Sequence, residues 1–219
     1  MTYEEYLGDW VKVINKSLLI KALTESLSFN RCPETSNILK AFTLCSLKDV
    51  KAVFLGQDPY PQKGVATGVL FGNKKDVNKL SPSLEVVKNT IMHLEDNYKD
   101  SNFDVTLESW AKQGILMINS ALTVEEGKPG SHAMIWRPFI ADLLVNLGDA
   151  YTGIVYVLFG GQAQTFIPYI NTKFNHLIVV QHPSYFARIH QDMPAYPFEE
   201  TNKILYGNCG ETIKWMKDE

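Results

Sequence analysis

The fold is decided by residues 53–60, which read Val-Phe-Leu-Gly-Gln-Asp-Pro-Tyr. The apolar run extends back to residue 50 with a single lysine in it, as in a strand that is buried on both faces of a parallel sheet. Glycine, and aspartate before proline, are turn residues. The strand is therefore predicted to end at a polar loop.

Three more short apolar runs follow along the chain, at residues 115–118, 154–159 and 177–180. Each has the length and the nearly uniform apolarity of a strand covered on both faces, and none alternates as a half-exposed strand would. Together with residues 50–55 they predict a central, twisted parallel sheet of about four strands.

The segments around the predicted strands have helical patterns. Ser81 and Pro82 suit the N-cap and the first position of a helix. Apolar residues recur at helical spacing in the first 48 residues and in two later stripes: Trp10, Ile14 and Leu18; Leu84, Val87, Ile91 and Leu94; Phe139, Leu143 and Leu147. The order of elements predicts an α/β fold with helices flanking the sheet, as a single domain over residues 1–219.

Charge and composition limit the classes of function. The net charge of −3, taken alone, argues against DNA binding, because most DNA-binding proteins carry an excess of Lys and Arg. No apolar run approaches the ~20 residues that span a bilayer, so we expect no membrane association. The cysteines form no C-x-x-C pair and the histidines show no metal-ligand spacing. We expect no metal and no cofactor. We expect a reducing, cytoplasmic location, or the nucleus or a host cell if the source is eukaryotic or viral.

Polar or glycine residues follow each predicted strand at its carboxyl end. Asp58 follows the first, Asn119 the second, Gly160-Gly161 the third and His182 the fourth. Taken singly, these residues suggest a turn, a loop cap, a tight strand-to-helix connection and a structural histidine. Ligands of open parallel sheets bind outside the carboxyl ends of the strands, so the shared position favours one functional site.

Several familiar α/β motifs are absent. No G-x-G-x-x-G follows a predicted strand, and Gly127-Lys128 leads into Pro129, with Leu122 where a P-loop needs its first glycine. No G-x-S-x-G elbow exists either, so Ser184 is a poor nucleophile.

Three segments resemble motifs of the family 1 uracil-DNA glycosylases. Residues 53–60 resemble the family's water-activating loop, residues 116–124 with Ser131-His132 its second motif, and residues 180–184 its His-Pro-Ser motif. Weaker similarities lie in the same order at residues 41–42, 110–114 and 202–215. The resemblance implies a monofunctional hydrolase that flips uracil out of single- or double-stranded DNA and leaves an abasic site.

The resemblance also implies catalytic roles for Asp58 and His182. The transition state of glycosidic cleavage carries positive charge on the sugar, which Asp58 would stabilise while it orients or deprotonates water. His182, as a neutral imidazole, would donate to the departing base at O2, helped by backbone N–H groups near Gln57.

Base selection is expected to depend on three side chains. Asn119 can donate to O4 of uracil and accept from its N3–H, whereas cytosine reverses both partners. By resemblance, Phe71 stacks on the flipped base and Tyr60 excludes the methyl group of thymine. Without the resemblance, ordinary core packing would explain both rings.

By resemblance, DNA phosphates are gripped mainly through backbone N–H groups and hydroxyls, which need no positive net charge. The residues implied are Ser81, Pro82, Ser83, Gly160, Gly161 and Ser184. Cations near these loops could make the local field positive: Lys63, Lys74, Lys75, Lys79 and Arg188.

Phe186 falls where the family's intercalating Leu stands, and is predicted to be the wedge that holds the duplex open. The alternative is that Phe186 packs against the core and Tyr185 faces the DNA.

The sequence departs from the family pattern at Pro61 (usually His), Gly161 (often Ser), the turn at 65–68 and Tyr185-Phe186 (usually Pro-Leu). These departures bear on rate, DNA affinity and substrate preference.

Two alternatives stay open: a glycosylase for another modified pyrimidine, or a DNA clamp or replication partner with weak catalysis. We expect a monomer whose partners are uracil-containing DNA and, beyond it, proteinaceous inhibitors or replication proteins.

Overall fold

The computed structural model describes residues 3–27, 30–95 and 99–218. Its strands are β1 (Arg31–Cys32), β2 (Ala52–Gly56), β3 (Ile115–Asn119), β4 (Val124–Glu125), β5 (Val155–Phe159) and β6 (His176–Val180). Four of them form a parallel sheet in the order β3-β2-β5-β6, whereas β1 and β4 form a separate antiparallel pair.

Helices cover both faces of the parallel sheet. They are α1 (Tyr3–Leu7), α2 (Lys16–Ser26), α3 (Lys40–Leu44), α4 (Pro82–Leu94), α5 (Glu108–Ala111), α6 (Ala133–Ala150), α7 (Gly160–Gln164), α8 (Pro183–Ile189) and α9 (Tyr196–Cys209). Short 3-10 helices lie at Gly8–Lys12, Thr35–Asn37, Leu47–Asp49, Asp100–Asn102 and Ile167–Tyr169. Within the described ranges, no helix has both the length and the apolarity needed to cross a bilayer.

Alternate residues of each central strand point into two hydrophobic cores, one on each face of the sheet. In β2, Val53 and Leu55 enter the core that α6 covers, while Ala52 and Phe54 enter the core that α4 and α9 cover. Every residue of β2 and β5 is buried. This two-sided burial explains why β2 and β5 read as continuous apolar runs. The prediction of two-sided burial is wrong for β6, which lies at the edge of the sheet and has Val179 exposed.

The order of the strands creates a crevice at the carboxyl edge of the sheet. The chain runs from β2 to β3 on one side, and then returns to place β5 on the other side of β2. Such a reversal of strand order leaves a crevice in which ligands bind. Gly56 pairs with Asn119, and Phe159 pairs with Val180, so the loops that follow these residues emerge at one edge.

The predicted parallel sheet is confirmed, with strand ends within two residues of those expected. The helix starting at Pro82, with Ser81 as N-cap, is also present. The prediction of one helical stripe from Trp10 to Leu18 is wrong, because the side chain of Asn15 caps the N-terminus of α2 and starts a new helix there. The pairing of β1 with β4 was not predicted, since two-residue strands leave no periodic pattern.

Candidate active site

A pocket lies at the carboxyl edge of the parallel sheet. The side chains predicted to act on the base all line it: Asp58, Tyr60, Phe71, Asn119 and His182. Gln57 is placed by its backbone, where its carbonyl accepts hydrogen bonds from the Ser120 hydroxyl at 2.8 Å and the Ala121 N–H at 3.1 Å. The loops after β2 and β3 are thereby tied together beside the pocket.

Asp58 is held by a residue far away in the chain. The backbone N–H of Gly130 donates to Oδ2 of Asp58. Burial raises the pKa of the Asp58 carboxyl, and the hydrogen bonds from Gly130 and from the Gln57 side chain oppose that rise. The carboxylate is therefore oriented and partly desolvated, and the two donors favour its ionised form.

His182 is held locally, as the N-cap of α8. Its Nδ1 accepts the backbone N–H of Ser184 at 3.2 Å and lies 2.9 Å from the Ser184 hydroxyl. An Nδ1 that accepts from a backbone N–H carries no proton, so the neutral ring has its proton on Nε2. Burial, with a smaller contribution from Arg188, lowers the pKa of His182 to about 4. The imidazole is thus a neutral Nε2–H donor at pH 7.

Asn119 is positioned by the last residue of the neighbouring strand. A Cβ at Gly56 would lie 2.7 Å from Oδ1 of Asn119 and 2.3 Å from Cδ1 of Leu70. Only glycine leaves room at this position for the amide group. Asn119 is half-buried at the end of β3, where its side chain lines the pocket.

Tyr60 and Phe71 form one wall of the pocket. The Tyr60 hydroxyl donates to the backbone carbonyl of Phe71 at 3.0 Å, and burial raises the pKa of the phenol. Phe71 has a φ of 60°, which is uncommon for a residue with a side chain. Its ring meets the His182 ring edge-on, with centroids 5.4 Å apart. The aromatic wall and the imidazole therefore support each other.

The loop before α4 is fixed by Asn73, a buried residue that sequence reasoning missed. Its side chain donates to the Ser81 hydroxyl at 2.8 Å and accepts the Ser81 N–H at 2.7 Å. Pro82 is exposed and Ser81 half-exposed, but Ser83 is buried. Of the three residues predicted to contact phosphate in this loop, only Ser81 and Pro82 are accessible to solvent to a substantial extent.

Gly160 and Gly161 differ in whether the structure leaves room for a side chain at their positions. Gly160 has a φ of 85°, and a Cβ there would lie 2.8 Å from Cβ of His182. Gly161 is exposed, and a Cβ there would meet nothing within 4 Å. Gly160 is thus required for the close approach of β5 and the His182 loop, whereas a serine could replace Gly161 without a steric penalty.

The first turn of α8 places its two aromatic side chains differently. Phe186 is half-buried and packs against the core that α4 and α9 cover, while Tyr185 is 41% exposed. This arrangement matches the alternative in which Phe186 packs inward. The cations predicted near the DNA are all exposed: Lys63, Lys74, Lys75, Lys79 and Arg188.

Sequence reasoning missed several residues in and beside the pocket. Ile38 and Leu122 line the pocket, and an apolar side chain carries no sequence signal that separates pocket lining from core packing. Gly130 precedes Ser131-His132, so its position beside a recognisable motif was the one available signal. In the part of the chain that the structure describes, no group of three His, Cys, Asp or Glu side chains could hold a metal ion.

This fold and pocket define an α/β enzyme whose reactive groups meet at the carboxyl edge of a parallel sheet. The sequence profile described as "Uracil DNA glycosylase superfamily" matches residues 42–205, and the chain belongs to that superfamily.

Named relatives and solved structures agree with this placement. The chain is 36% identical over 217 residues to the uracil-DNA glycosylase of Alkaliphilus metalliredigens, covering 97% of this chain and 91% of the relative. It is 36% identical over 187 residues to that of Buchnera aphidicola from Acyrthosiphon pisum, covering 84% and 83%. The mimivirus uracil-DNA glycosylase shares the fold with a TM-score of 0.75 at 20% identity, over 97% of this chain and 91% of that one. The structure of its Y322F variant in complex with UGI has a TM-score of 0.78 at 23% identity, over 91% of this chain and 83% of that one.

Proposed function

We propose that this protein hydrolyses the N-glycosidic bond between uracil and deoxyribose in DNA, releasing free uracil and leaving an abasic site. One observation carries the proposal: Asp58 and His182 line a single pocket, one as an oriented carboxylate and the other as a neutral donor. Heterolysis of a glycosidic bond separates positive from negative charge, and this pair of groups suits its two ends.

Asp58 acts at the sugar end of the bond. As the C1′–N1 bond breaks, its electron pair leaves with the base and C1′ becomes cationic, so a nearby carboxylate lowers the energy of the transition state. Water then adds to C1′ and Asp58 takes its proton. Ionisation is essential for both roles, and the donors from Gly130 and Gln57 favour it against the effect of burial.

His182 acts at the base end of the bond. Negative charge develops on the departing uracil and is shared with O2, where the Nε2–H of a neutral imidazole can donate a hydrogen bond. The donation of the Ser184 N–H to Nδ1 fixes the required tautomer. A neutral donor also avoids the free-energy cost of placing a full cation in a buried site.

Base choice rests on Asn119, Tyr60 and Phe71. The Asn119 amide matches the O4 and N3–H of uracil and would be mispaired with cytosine. The Tyr60 ring, held by its hydrogen bond to the Phe71 carbonyl, excludes a methyl group at C5. The Phe71 ring, held against His182, provides the stacking surface for an extruded base.

DNA is gripped at the pocket rim, and uracil enters by flipping out of a single strand or a duplex. The rim contacts we propose are Ser81, Pro82, Ser83, Gly160, Gly161 and Ser184, whereas backbone N–H groups near Gln57 help His182 at the departing base. The Ser184 hydroxyl lies 2.9 Å from Nδ1 of His182, so a phosphate bound by this hydroxyl would couple DNA binding to the orientation of the imidazole. We expect a monomer, and the same rim would serve a proteinaceous inhibitor of uracil-DNA glycosylases.

The test is a release assay with four single-stranded oligonucleotides that differ only in one base: uracil, thymine, cytosine or 5-hydroxymethyluracil. Chromatography of the free bases, in EDTA, should detect uracil alone. Preferential release of 5-hydroxymethyluracil would instead favour a glycosylase for another modified pyrimidine. Tight binding of the uracil strand without release would indicate a DNA clamp.

A further inference from the structure

Asn73 is a buried amide that lies in the chain between the pocket wall and the start of α4. Its side chain is 1% exposed, and a buried amide group is costly unless it is hydrogen-bonded. The side chain accepts the Ser81 N–H at 2.7 Å and donates to the Ser81 hydroxyl at 2.8 Å. Asn73 therefore holds both the backbone and the side chain of Ser81, a half-exposed residue of the pocket rim.

The directions of these two hydrogen bonds fix the Ser81 hydroxyl. A backbone N–H can only donate, so the Asn73 atom that it meets is Oδ1 and the other atom is the NH₂ group. Since that NH₂ group can also only donate, Oγ of Ser81 is the acceptor in the second bond. The hydroxyl hydrogen therefore points away from Asn73 and can be donated to a different acceptor.

Ser81 differs in this respect from other residues that start helices in this protein. The side chains of Asn15 and His182 accept backbone N–H groups of the helices that they start. In the described part of the chain, the Ser81 side chain makes no such bond to α4, although serine is a favoured N-cap residue. Asn73 thus binds a hydroxyl that does not cap its own helix.

The backbone around Asn73 is anchored beside the base-selecting wall. The Asn73 N–H donates to the Val105 carbonyl at 2.8 Å, and the carbonyl of Phe71, two residues earlier, accepts the Tyr60 hydroxyl at 3.0 Å. Burial raises the pKa of the Tyr60 phenol, and the Ser81 side chain opposes that rise, so these two side chains are neighbours. The Ser81 hydroxyl is therefore held close to the pocket, where the phosphate next to an extruded nucleotide would lie.

We propose that Asn73 is a positioning residue that presents the Ser81 hydroxyl as a donor to a DNA phosphate beside the extruded uracil, an inference that rests on the proposed function. Because Asn73 occupies the Ser81 N–H, the hydroxyl is the donor that Ser81 offers to DNA. A phosphate oxygen is charged and accepts a hydrogen bond more strongly than the neutral phenol of Tyr60 does. Asn73 thus supports DNA affinity and leaves bond cleavage itself unchanged.

The experiment uses Asn73→Asp, which keeps an acceptor for the Ser81 N–H and replaces the NH₂ donor with a second acceptor. At about pH 8 the new carboxyl is ionised, so the Ser81 hydroxyl donates to it instead of to DNA. For uracil release from a single-stranded oligonucleotide, KM should rise about 10- to 100-fold, as for loss of a hydrogen bond to a charged group. The kcat should stay within about twofold, because the lost contact is the same in the ground state and the transition state.

A double-mutant cycle with Ser81→Ala separates this role from repulsion between the new carboxylate and DNA. Ser81→Ala alone removes the hydroxyl and should raise KM to a similar extent. Adding Asn73→Asp to it should raise KM by no more than about twofold, because the two changes remove one shared interaction. Repulsion would act in both backgrounds, so an equal fold increase with and without the Ser81 hydroxyl would overturn the proposal. An unchanged KM in Ser81→Ala would overturn it as well, whether or not Asn73→Asp folds.

Asn175→Asp is the matched control for replacing a buried amide with a carboxylate. Asn175 is buried; its side chain accepts the Ile154 N–H at 3.0 Å and donates to the carbonyls of Gly148 and Asn171. These contacts lie beside the amino ends of β5 and β6, away from the pocket. Both substitutions should lower the melting temperature, but only Asn73→Asp should raise KM. An equal rise in KM with Asn175→Asp would assign the effect to lost stability and contradict the proposal.

A second readout needs no catalysis. Fluorescence anisotropy of a labelled single strand that carries a stable abasic analogue should show affinity about 10-fold weaker or more in both Asn73→Asp and Ser81→Ala. Unchanged affinity would contradict the inference about Asn73. If the wild-type protein released no uracil, the proposed function would be wrong, and this binding measurement would still decide the role of Asn73.

Discussion

The loop after β2 and the loop after β6 deliver their reactive groups from equivalent positions but hold them by different means. Asp58 and His182 each lie two residues beyond the end of their strand. Asp58 depends on Gly130, 72 residues away in the chain, whereas His182 depends on Ser184, two residues away. The carboxylate therefore requires the assembled fold, and the imidazole is oriented by its own helix cap.

Burial acts on both groups in the same way, with opposite consequences for function. It disfavours the charged form of each, raising the pKa of Asp58 and lowering that of His182. For His182 the neutral form is the useful one, so burial alone prepares it. For Asp58 the charged form is needed, so donors must counteract burial. The Asp58 carboxyl thus needs hydrogen-bond donors to reach its useful protonation state, whereas the His182 imidazole does not.

The largest effect is expected from Asp58→Asn. This change keeps the size of the side chain but removes the negative charge and the proton acceptor. Uracil release under single-turnover conditions should fall by roughly 10²–10⁴, while folding and DNA binding are preserved. Circular dichroism and binding to abasic DNA serve as controls, and a variant with full activity would remove Asp58 from the mechanism.

A somewhat smaller loss is expected from His182→Leu, which removes one donor to the departing base. The rate should fall by roughly 10²–10³, the usual cost of losing an oxyanion donor. Affinity for abasic DNA should change less than the rate. If affinity and rate fell in parallel, His182 would be a structural residue of the α8 cap.

The same residue should make the protein acid-sensitive. The pKa of His182 is about 4 in the folded protein and about 6.5 when unfolded, so between these values the unfolded chain binds more protons. Stability is therefore lost as pH falls through this window. Between pH 7 and 5, the free energy of unfolding should drop about 2 kcal/mol more in the wild type than in His182→Leu. Urea titrations of both proteins at the two pH values measure this difference. Equal drops in the free energy of unfolding would mean that folding does not lower the pKa of His182.

The smallest effect is expected at the base-selecting wall. Tyr60→Ala removes the ring that faces C5, so slow release of thymine should become detectable. Tyr60→Phe is the matched control, since it keeps the ring and removes only the hydrogen bond to the Phe71 carbonyl. Thymine release by Tyr60→Phe, or by neither folded variant, would count against the steric assignment.

The difference between the two loops also explains what the sequence could predict. The strands could be predicted because the strands of a covered parallel sheet are continuous apolar runs. The polar residues after these runs placed Asp58, Asn119 and His182 at one edge of the sheet. Gly130 could not be paired with Asp58 from sequence, because a backbone donor has no residue signature. The orientation of Phe186 was equally hidden, since its contact with α4 depends on how two helices pack.

The central claim is that Asp58 and His182 together break the bond between uracil and DNA. It is tested most directly by following free uracil from a single-stranded uracil oligonucleotide, in EDTA, with the wild-type protein and the double variant Asp58→Asn/His182→Leu. The wild type should release one uracil per strand, and the double variant should bind the strand without measurable release. Release by the double variant at the wild-type rate, or no release of uracil by the wild type, would contradict the claim.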